Sequence, residues 1–191
     1  MRRLSQVLLM GTALIGLLSV PAITKAFTAK TDSTPPAIAD STQVMQINSA
    51  GIKELEMIEQ RNKEIVQSYF DRWRNNTGNF FDLLAPEATW TITGTGATAG
   101  TYRRQAFLDQ VVQPANARFL SPLVPTVDGI WADDDMVIVL WDGATTAKDG
   151  QPYRNTYTWY FRMKDGKAIE AIAFLDMHMF NDLWTRISPT P

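Results

Sequence analysis

Residues 153–184 read YRNTYTWYFRMKDGKAIEAIAFLDMHMFNDLW, and the organisation of the chain follows from them. Tyr157, Trp159, Phe161 and Met163 fall at every second position, with Thr156, Thr158, Arg162 and Lys164 between them. A period of two is that of a strand with one face buried. Only Tyr160 blurs the alternation. Asp165-Gly166 supplies the two residues of positive φ that a type I′ turn demands, and a second strand follows from Ala168 to Leu175. Asp176 then precedes Met177–Trp184, a short helix with a carboxylate at its N-cap position. The chain is expected to end as a hairpin and a helix.

Upstream, Leu123–Ala132 and Met136–Thr146 read as two strands around the turn Asp133-Asp134-Asp135. The ligands of a calcium loop are spread over about a dozen residues, so three adjacent Asp read as a solvated turn. Tyr102–Val112 reads as a helix closed by Gln113-Pro114, Thr89–Thr93 as a strand, and Phe80–Leu84 as a short helix ended by Ala85-Pro86. Gly94–Gly100, GTGATAG, is a turn of small residues; no Lys follows it as in a phosphate loop. Ile52–Trp73 carries apolar residues at helical spacing, best patterned from Asn62 onward. Helices followed by a run of strands predict an α+β fold with a mainly antiparallel sheet.

The N-terminus reads as an export signal over residues 1–26: Arg2 and Arg3, an apolar run from Val7 to Val20, then small residues, with cleavage after Ala22 or Ala26. The run is shorter than the ~20 residues of a spanning helix, so a periplasmic or secreted protein with no membrane attachment after cleavage is expected. Residues 27–50, rich in Thr, Ser, Pro, Ala and Asp, read as a flexible linker. A net charge of -2 offers no field for a phosphate backbone and excludes nucleic acid as an expected partner. With no Cys and one His in the 191 residues, disulfides, thiolate chemistry and a multi-histidine metal site are excluded within one chain, and no metal or cofactor is expected.

The closing segment and AGTYRRQAF at Ala99–Phe107 together resemble the SnoaL-like and ketosteroid-isomerase-related branch of the nuclear-transport-factor-2-like superfamily. An AGTYRG-like turn and a YxNxYxxxFxxxDGKIxxxxxYLD ending recur together there. The resemblance spans roughly Asn62 to Trp184. It implies a domain over residues 51–187 with a tail at 188–191, in which a strongly curved, cone-shaped sheet wraps about three helices around an apolar pocket. It also implies a homodimer paired through the outer sheet face, where Tyr160, Ile172 and Phe174 would otherwise stay exposed. Isomerases, cyclases, dehydratases and plain binding modules share this scaffold. Two functions follow as expectations: a cofactor-independent isomerase, cyclase or dehydratase acting on a hydrophobic small molecule, or a non-catalytic module binding such a ligand or a protein partner.

Strand parity places Asn155, Tyr157 and Trp159 on one face, with Trp141 on a neighbouring strand, as candidate ligand contacts. Each ring reads equally as core, while a buried Asn155 amide must find partners. Tyr69 occupies the position that the resemblance gives to an oxyanion-stabilising tyrosine, and it reads equally as a core residue. The acidic positions of that chemistry fall on Ile92 and on Trp159 or Thr158, and the carboxylate of related epoxide hydrolases falls on Ala173. Asp176 and His178 are the remaining acid-base candidates; against catalysis by Asp176 stands its reading as a helix cap.

Overall fold

In a computed structural model of the chain, residues 41–188 are described. The expected export signal, the linker up to residue 40 and most of the tail lie outside these residues. The first helix, α1, spans Ser41–Arg74, so it begins within the stretch read as linker. A helix is costly to nucleate and cheap to extend, and nothing between Ser41 and Ala50 breaks it. At 1.5 Å per residue its 34 residues reach about 50 Å. Its C-terminal half buries Asn62, Val66 and Phe70, whereas residues 49–58 are exposed throughout.

A 3₁₀ turn, Phe80–Leu83, follows, capped by the Asn79 side chain, which accepts from the Phe81 N–H. Strand β1 then runs Leu84–Ile92, beginning earlier than its β-branched centre suggests. Ala85-Pro86 sits inside it, at a point where the pairing with its neighbour is interrupted between Leu84 and Thr89, as a proline without an N–H requires. Strand β2, Gly100–Arg103, takes Tyr102 and Arg103 from the predicted helix. Thr101 and Tyr102 pair with Thr91 and Trp90, and a sheet edge supplies hydrogen bonds that a helix start leaves unmade.

The helical run continues past its predicted end as α2 (Arg104–Phe107), a π-helical turn (Leu108–Val112) and α3 (Gln113–Asn116). Pro114 therefore does not close it. Within the wide turn the Gln113 N–H reaches back to the Leu108 carbonyl. The ladder is thereby reset one residue before the proline, which has no N–H to give and would clash with the carbonyl four residues back.

Strands β3 (Val124–Asp133), β4 (Met136–Thr146), β5 (Pro152–Lys164) and β6 (Lys167–Leu175) complete one sheet of order β2-β1-β6-β5-β4-β3. All neighbours are antiparallel except β1 and β6, which are parallel. The β5–β6 turn has positive φ at both Asp165 (50°) and Gly166 (76°), the requirement of a type I′ turn. The acidic β3–β4 turn is held from outside: the Asp134 N–H donates to Glu59 of α1, and Asp135 pairs with Arg162 at 2.9 Å. Helix α4, Met177–Arg186, ends the domain.

The sheet curls around α1, the 3₁₀ turn and the α2–α3 run, and one core forms between them from Val66, Phe70, Phe80, Trp90, Phe107, Trp141, Trp159 and Phe161 among others. The fold is α+β, a curved mixed sheet closed over helices.

Candidate functional site

Alternation along β5 decides the inner wall: Tyr153, Asn155, Tyr157, Trp159, Phe161 and Met163 are all buried, while the residues between them are exposed or half-buried. Register fixes what each ring meets. Trp141 lies opposite Tyr157, and Trp159 lies opposite Val139 on one side and Ala173 on the other. The small Ala173 leaves room for a large indole. Gly143 does the same on β4, where a Cβ would come within 3.0 Å of Trp141 and 3.1 Å of Tyr157.

The rings interlock. Trp141 stacks on Tyr157 with centroids 4.1 Å apart, and Trp159 meets Trp141 and Trp90 edge to face at 4.6 and 4.9 Å. Trp90 stacks in turn on Phe107 of α2 at 4.4 Å. The indole N–H groups of Trp90, Trp141 and Trp159 are buried with no oxygen or nitrogen acceptor among the described residues. In the perpendicular pairs ring edges meet aromatic faces, an arrangement that the ring quadrupoles favour.

Against this wall lies a cavity of about 90 Å³, lined from the sheet by Trp90, Ile92, Trp141, Tyr157, Trp159, Ala173 and Leu175. Val111, Val112, Ala115 and Asn116 of the π turn and α3 line the opposite side, Phe180 of α4 covers it, and Trp73 of α1 borders it. Nine of its seventeen lining residues are aromatic and none is Asp, Glu, His, Lys or Arg. Its surface is therefore almost wholly apolar, the kind of space that stays dry and takes apolar guests.

Of the sequence candidates, Trp141, Tyr157 and Trp159 line this cavity. Asn155 does not, although it shares their face. Its amide donates to the Asp176 carbonyl at 3.0 Å and accepts from the Asp176 N–H at 3.0 Å, and it also donates to the Tyr153 hydroxyl at 3.1 Å. A buried amide satisfied this way is a strut between β5 and the start of α4. The Tyr153 hydroxyl in turn bonds that of Tyr157 at 2.9 Å, so a hydrogen-bonded chain runs from Asp176 to a ring of the cavity wall. Burial pushes both phenols upward in pKa, Tyr157 well above its ordinary value, so both are neutral hydroxyls at physiological pH.

Tyr69, Asp176 and His178 are not brought together on the cavity. The Tyr69 hydroxyl lies 3.4 Å from the Asp82 carbonyl and accepts from Lys167 at 3.3 Å, with the Arg72 guanidinium 3.9 Å over its ring. Burial would raise its pKa, but the hydrogen bonds and charges of Arg72 and Lys167 outweigh that and lower it. Tyr69 lies one helical turn before the cavity-lining Trp73 and on the same face, but its hydroxyl reaches the 3₁₀ turn at Asp82, and it does not line the cavity. Asp176 caps α4, its Oδ1 accepting from the His178 N–H at 2.9 Å and the Met179 N–H at 3.3 Å. His178 is exposed and does not line the cavity. Asp142, on the outer face, accepts from Thr156 at 2.6 Å. Among the described residues, no three of His, Asp and Glu lie close enough to hold a metal ion.

The residues that sequence reasoning missed are those of the opposite wall, Val111, Val112, Ala115 and Asn116. Their register is set by the π turn, for which Pro114 is the only signal in the sequence.

The SnoaL-like domain profile matches residues 66–171, more than half of the 191-residue chain. No curated protein matches it. A nuclear-transport-factor-2-like protein of Burkholderia thailandensis superposes with a TM-score of 0.55 at 18% identity, over 64% of this chain and 96% of its own. TerC, crystallised with polyporic acid, superposes with a TM-score of 0.54 at 17% identity, over 64% of this chain and 97% of its own. A protein of Jannaschia sp. CCS1 named as a SnoaL-like polyketide cyclase gives a TM-score of 0.51 at 18% identity, over 69% and 96%. The profile covers more than half of the chain, which belongs to the SnoaL-like domain family and shares the fold of nuclear-transport-factor-2-like proteins.

Proposed function

We propose that this protein binds an apolar small molecule in the aromatic cavity, as a binding module of the SnoaL-like family. The observation that carries this reading is the lining itself: nine aromatic residues and no Asp, Glu, His, Lys or Arg. An isomerase or cyclase working by acid-base chemistry places a carboxylate or imidazole within hydrogen-bond reach of the reacting atom. Here Asp176 is engaged with two backbone N–H groups of α4. That a fold neighbour, TerC, was co-crystallised with polyporic acid supports small-molecule binding on this scaffold. The test is titration of the folded protein with toluene while tryptophan fluorescence is followed. Saturable quenching is expected, with Ala173→Leu abolishing it; quenching that is absent, or unchanged in the variant, overturns the reading.

A second reading rests on the chain from Asn155 through Tyr153 to Tyr157. With Asn155 donating to Tyr153 and Tyr153 to Tyr157, the Tyr157 proton is left for a carbonyl in the cavity, and each link polarises the next. That arrangement suits stabilisation of an enolate in an isomerase or cyclase. Tyr157→Phe separates the readings, since it leaves binding of a hydrocarbon intact and removes turnover of a carbonyl compound.

Export and pairing complete the proposal. The signal-like residues 1–26 support a periplasmic or secreted protein, checked by the intact mass of exported material. No described helix is long and apolar enough to cross a membrane. The outer sheet face carries Trp131, Ile138, Tyr160 and Ile172 in register across four strands, with Phe174 49% exposed beside them. A row of this kind on one face supports a homodimer. Sedimentation at micromolar concentration tests it, and a mass of one chain counts against it.

A further inference from the structure

The aromatic cavity has a neighbour. A second cavity of about 340 Å³ lies between the end of α1, the 3₁₀ turn and the π turn, and Trp73, Phe81, Val112 and Asn116 line both. The inner chamber, about 90 Å³, holds at most a group the size of a single ring, since an apolar cavity of ~150 Å³ takes benzene. Together the two chambers fall in the ~300–1,000 Å³ range of small-molecule sites. A ligand of ordinary size that buries its apolar end in the inner chamber therefore extends past Trp73 and Phe81 into the outer one.

The chemistry of the outer chamber is distinct. Its polar side chains are Asn79, Gln113 and Asn116, three neutral amides, and no charged residue lines it. Two of the amides are half engaged: the Asn79 carbonyl accepts from the Phe81 N–H, leaving its amino group, and the Gln113 amino group donates to Asp109, leaving its carbonyl. The Asn116 side chain has no hydrogen-bond partner among the described residues, and it stands where the chambers meet. A charged group entering here would lose hydration with no charged side chain in the lining to replace it, the Asp109 carboxylate behind Gln113 being engaged by Gln105 and Gln113, whereas a neutral donor or acceptor is matched.

Resting on the binding reading above, we propose that the two cavities form one two-chamber site for an uncharged, elongated molecule. Its apolar head fills the inner chamber, and a hydroxyl, ester or amide group meets Asn116 in the outer one. Asn116 is then the specificity-determining residue of the site.

Four probes share one apolar head: toluene, N-benzylacetamide, phenylacetate and benzylammonium, each titrated against the folded protein by ligand-observed NMR. N-benzylacetamide is expected to bind about 3- to 10-fold more tightly than toluene, the worth of one neutral hydrogen bond, and both charged analogues more weakly than the amide. Asn116→Leu, at an exposed position, should bring the ratio of amide to toluene affinity to about one, whatever the change in toluene affinity itself, with circular dichroism confirming the fold. An amide no tighter than toluene, a ratio that survives the substitution, or charged analogues that match the amide each overturn the two-chamber proposal while leaving inner-chamber binding standing. Failure of toluene itself to bind removes the binding reading and this proposal with it.

Discussion

The cavity wall and the start of α4 lie at two ends of the same strand neighbourhood, and they are built on opposite rules. At the wall, Trp90, Trp141 and Trp159 are packed ring on ring with their N–H groups lacking acceptors. At the α4 start, backbone polar groups are met by side chains: Asn155 holds the N–H and the carbonyl of Asp176, and one Asp176 oxygen holds two N–H groups of the helix. The residues with catalytic-looking chemistry thus serve the frame, and the residues that look like ordinary core enclose the space. A titratable side chain near a pocket-forming strand is accordingly weak evidence of a reaction when a helix begins at the same point.

The largest effect is expected at the wall. Trp159 contacts Phe70, Phe80, Trp90, Trp141 and Phe161, so it ties the sheet to α1 and the 3₁₀ turn. Trp159→Ala should cost about 3–5 kcal/mol of stability, as large aromatic truncations in cores do, measured by urea unfolding. A loss under about 1 kcal/mol, the size of an ordinary surface change, would mean that the ring is a cavity lining and not a structural keystone.

At the frame, Asn155→Leu keeps the volume and removes the amide. It leaves the Asp176 N–H, the Asp176 carbonyl and the Tyr153 hydroxyl short of partners. About 1–3 kcal/mol should be lost, the cost of a buried unsatisfied group, chiefly as fraying of α4 seen by amide hydrogen exchange. Protection in α4 equal to the wild type would break the contrast between wall and frame. The two phenols add a pH dependence. Their folded pKa values are raised above the unfolded value of about 10.0, by burial first. Between those values the unfolded chain binds fewer protons, so stability present below about pH 10 falls as pH rises further. Tyr69, whose pKa is lowered, has the opposite sign and gains stability as pH approaches 10 from below. Alkaline titration followed by tyrosinate absorbance should show Tyr69 ionising early, and Tyr157 only as the protein unfolds.

How much of this was legible in the sequence depends on how local the cause is. The hairpin and the α4 cap were legible because period-two alternation, an Asp-Gly pair and an Asp before a helix act within a few residues. Trp141, Tyr157 and Trp159 could be placed on one face for the same reason. Asn155 obeyed the parity, yet its partner is the backbone of Asp176, 21 residues on, and no period announces that. The parallel pairing of β1 with β6 and the transfer of Tyr102 to β2 are products of sheet assembly, where long-range hydrogen bonds override local helix preference. In a uniform α ladder Pro114 would be a stop; the π turn before it removes the conflict, and Val111, Val112 and Asn116 line the cavity.

The smallest effect sharpens the comparison most. At the N-cap, Asp176 uses one oxygen for both helix N–H groups, and an Asn side-chain carbonyl can occupy the same place. Asp176→Asn should therefore change stability by only a few tenths of a kcal/mol, while Asp176→Ala should cost about 1 kcal/mol through loss of the cap, both read from the shift in urea midpoint. The bond between Asn155 and the Asp176 peptide is common to both variants, so the difference between them isolates the cap acceptor, and the difference between wild type and Asn isolates the negative charge. If Asn were as damaging as Ala, the negative charge at the α4 N-terminus would be the stabilising element, and the loss would shrink with added salt. If Asn preserves stability and ligand binding yet abolishes turnover of a carbonyl compound, the second oxygen of Asp176 is the missing base, and the frame at this point is also the site.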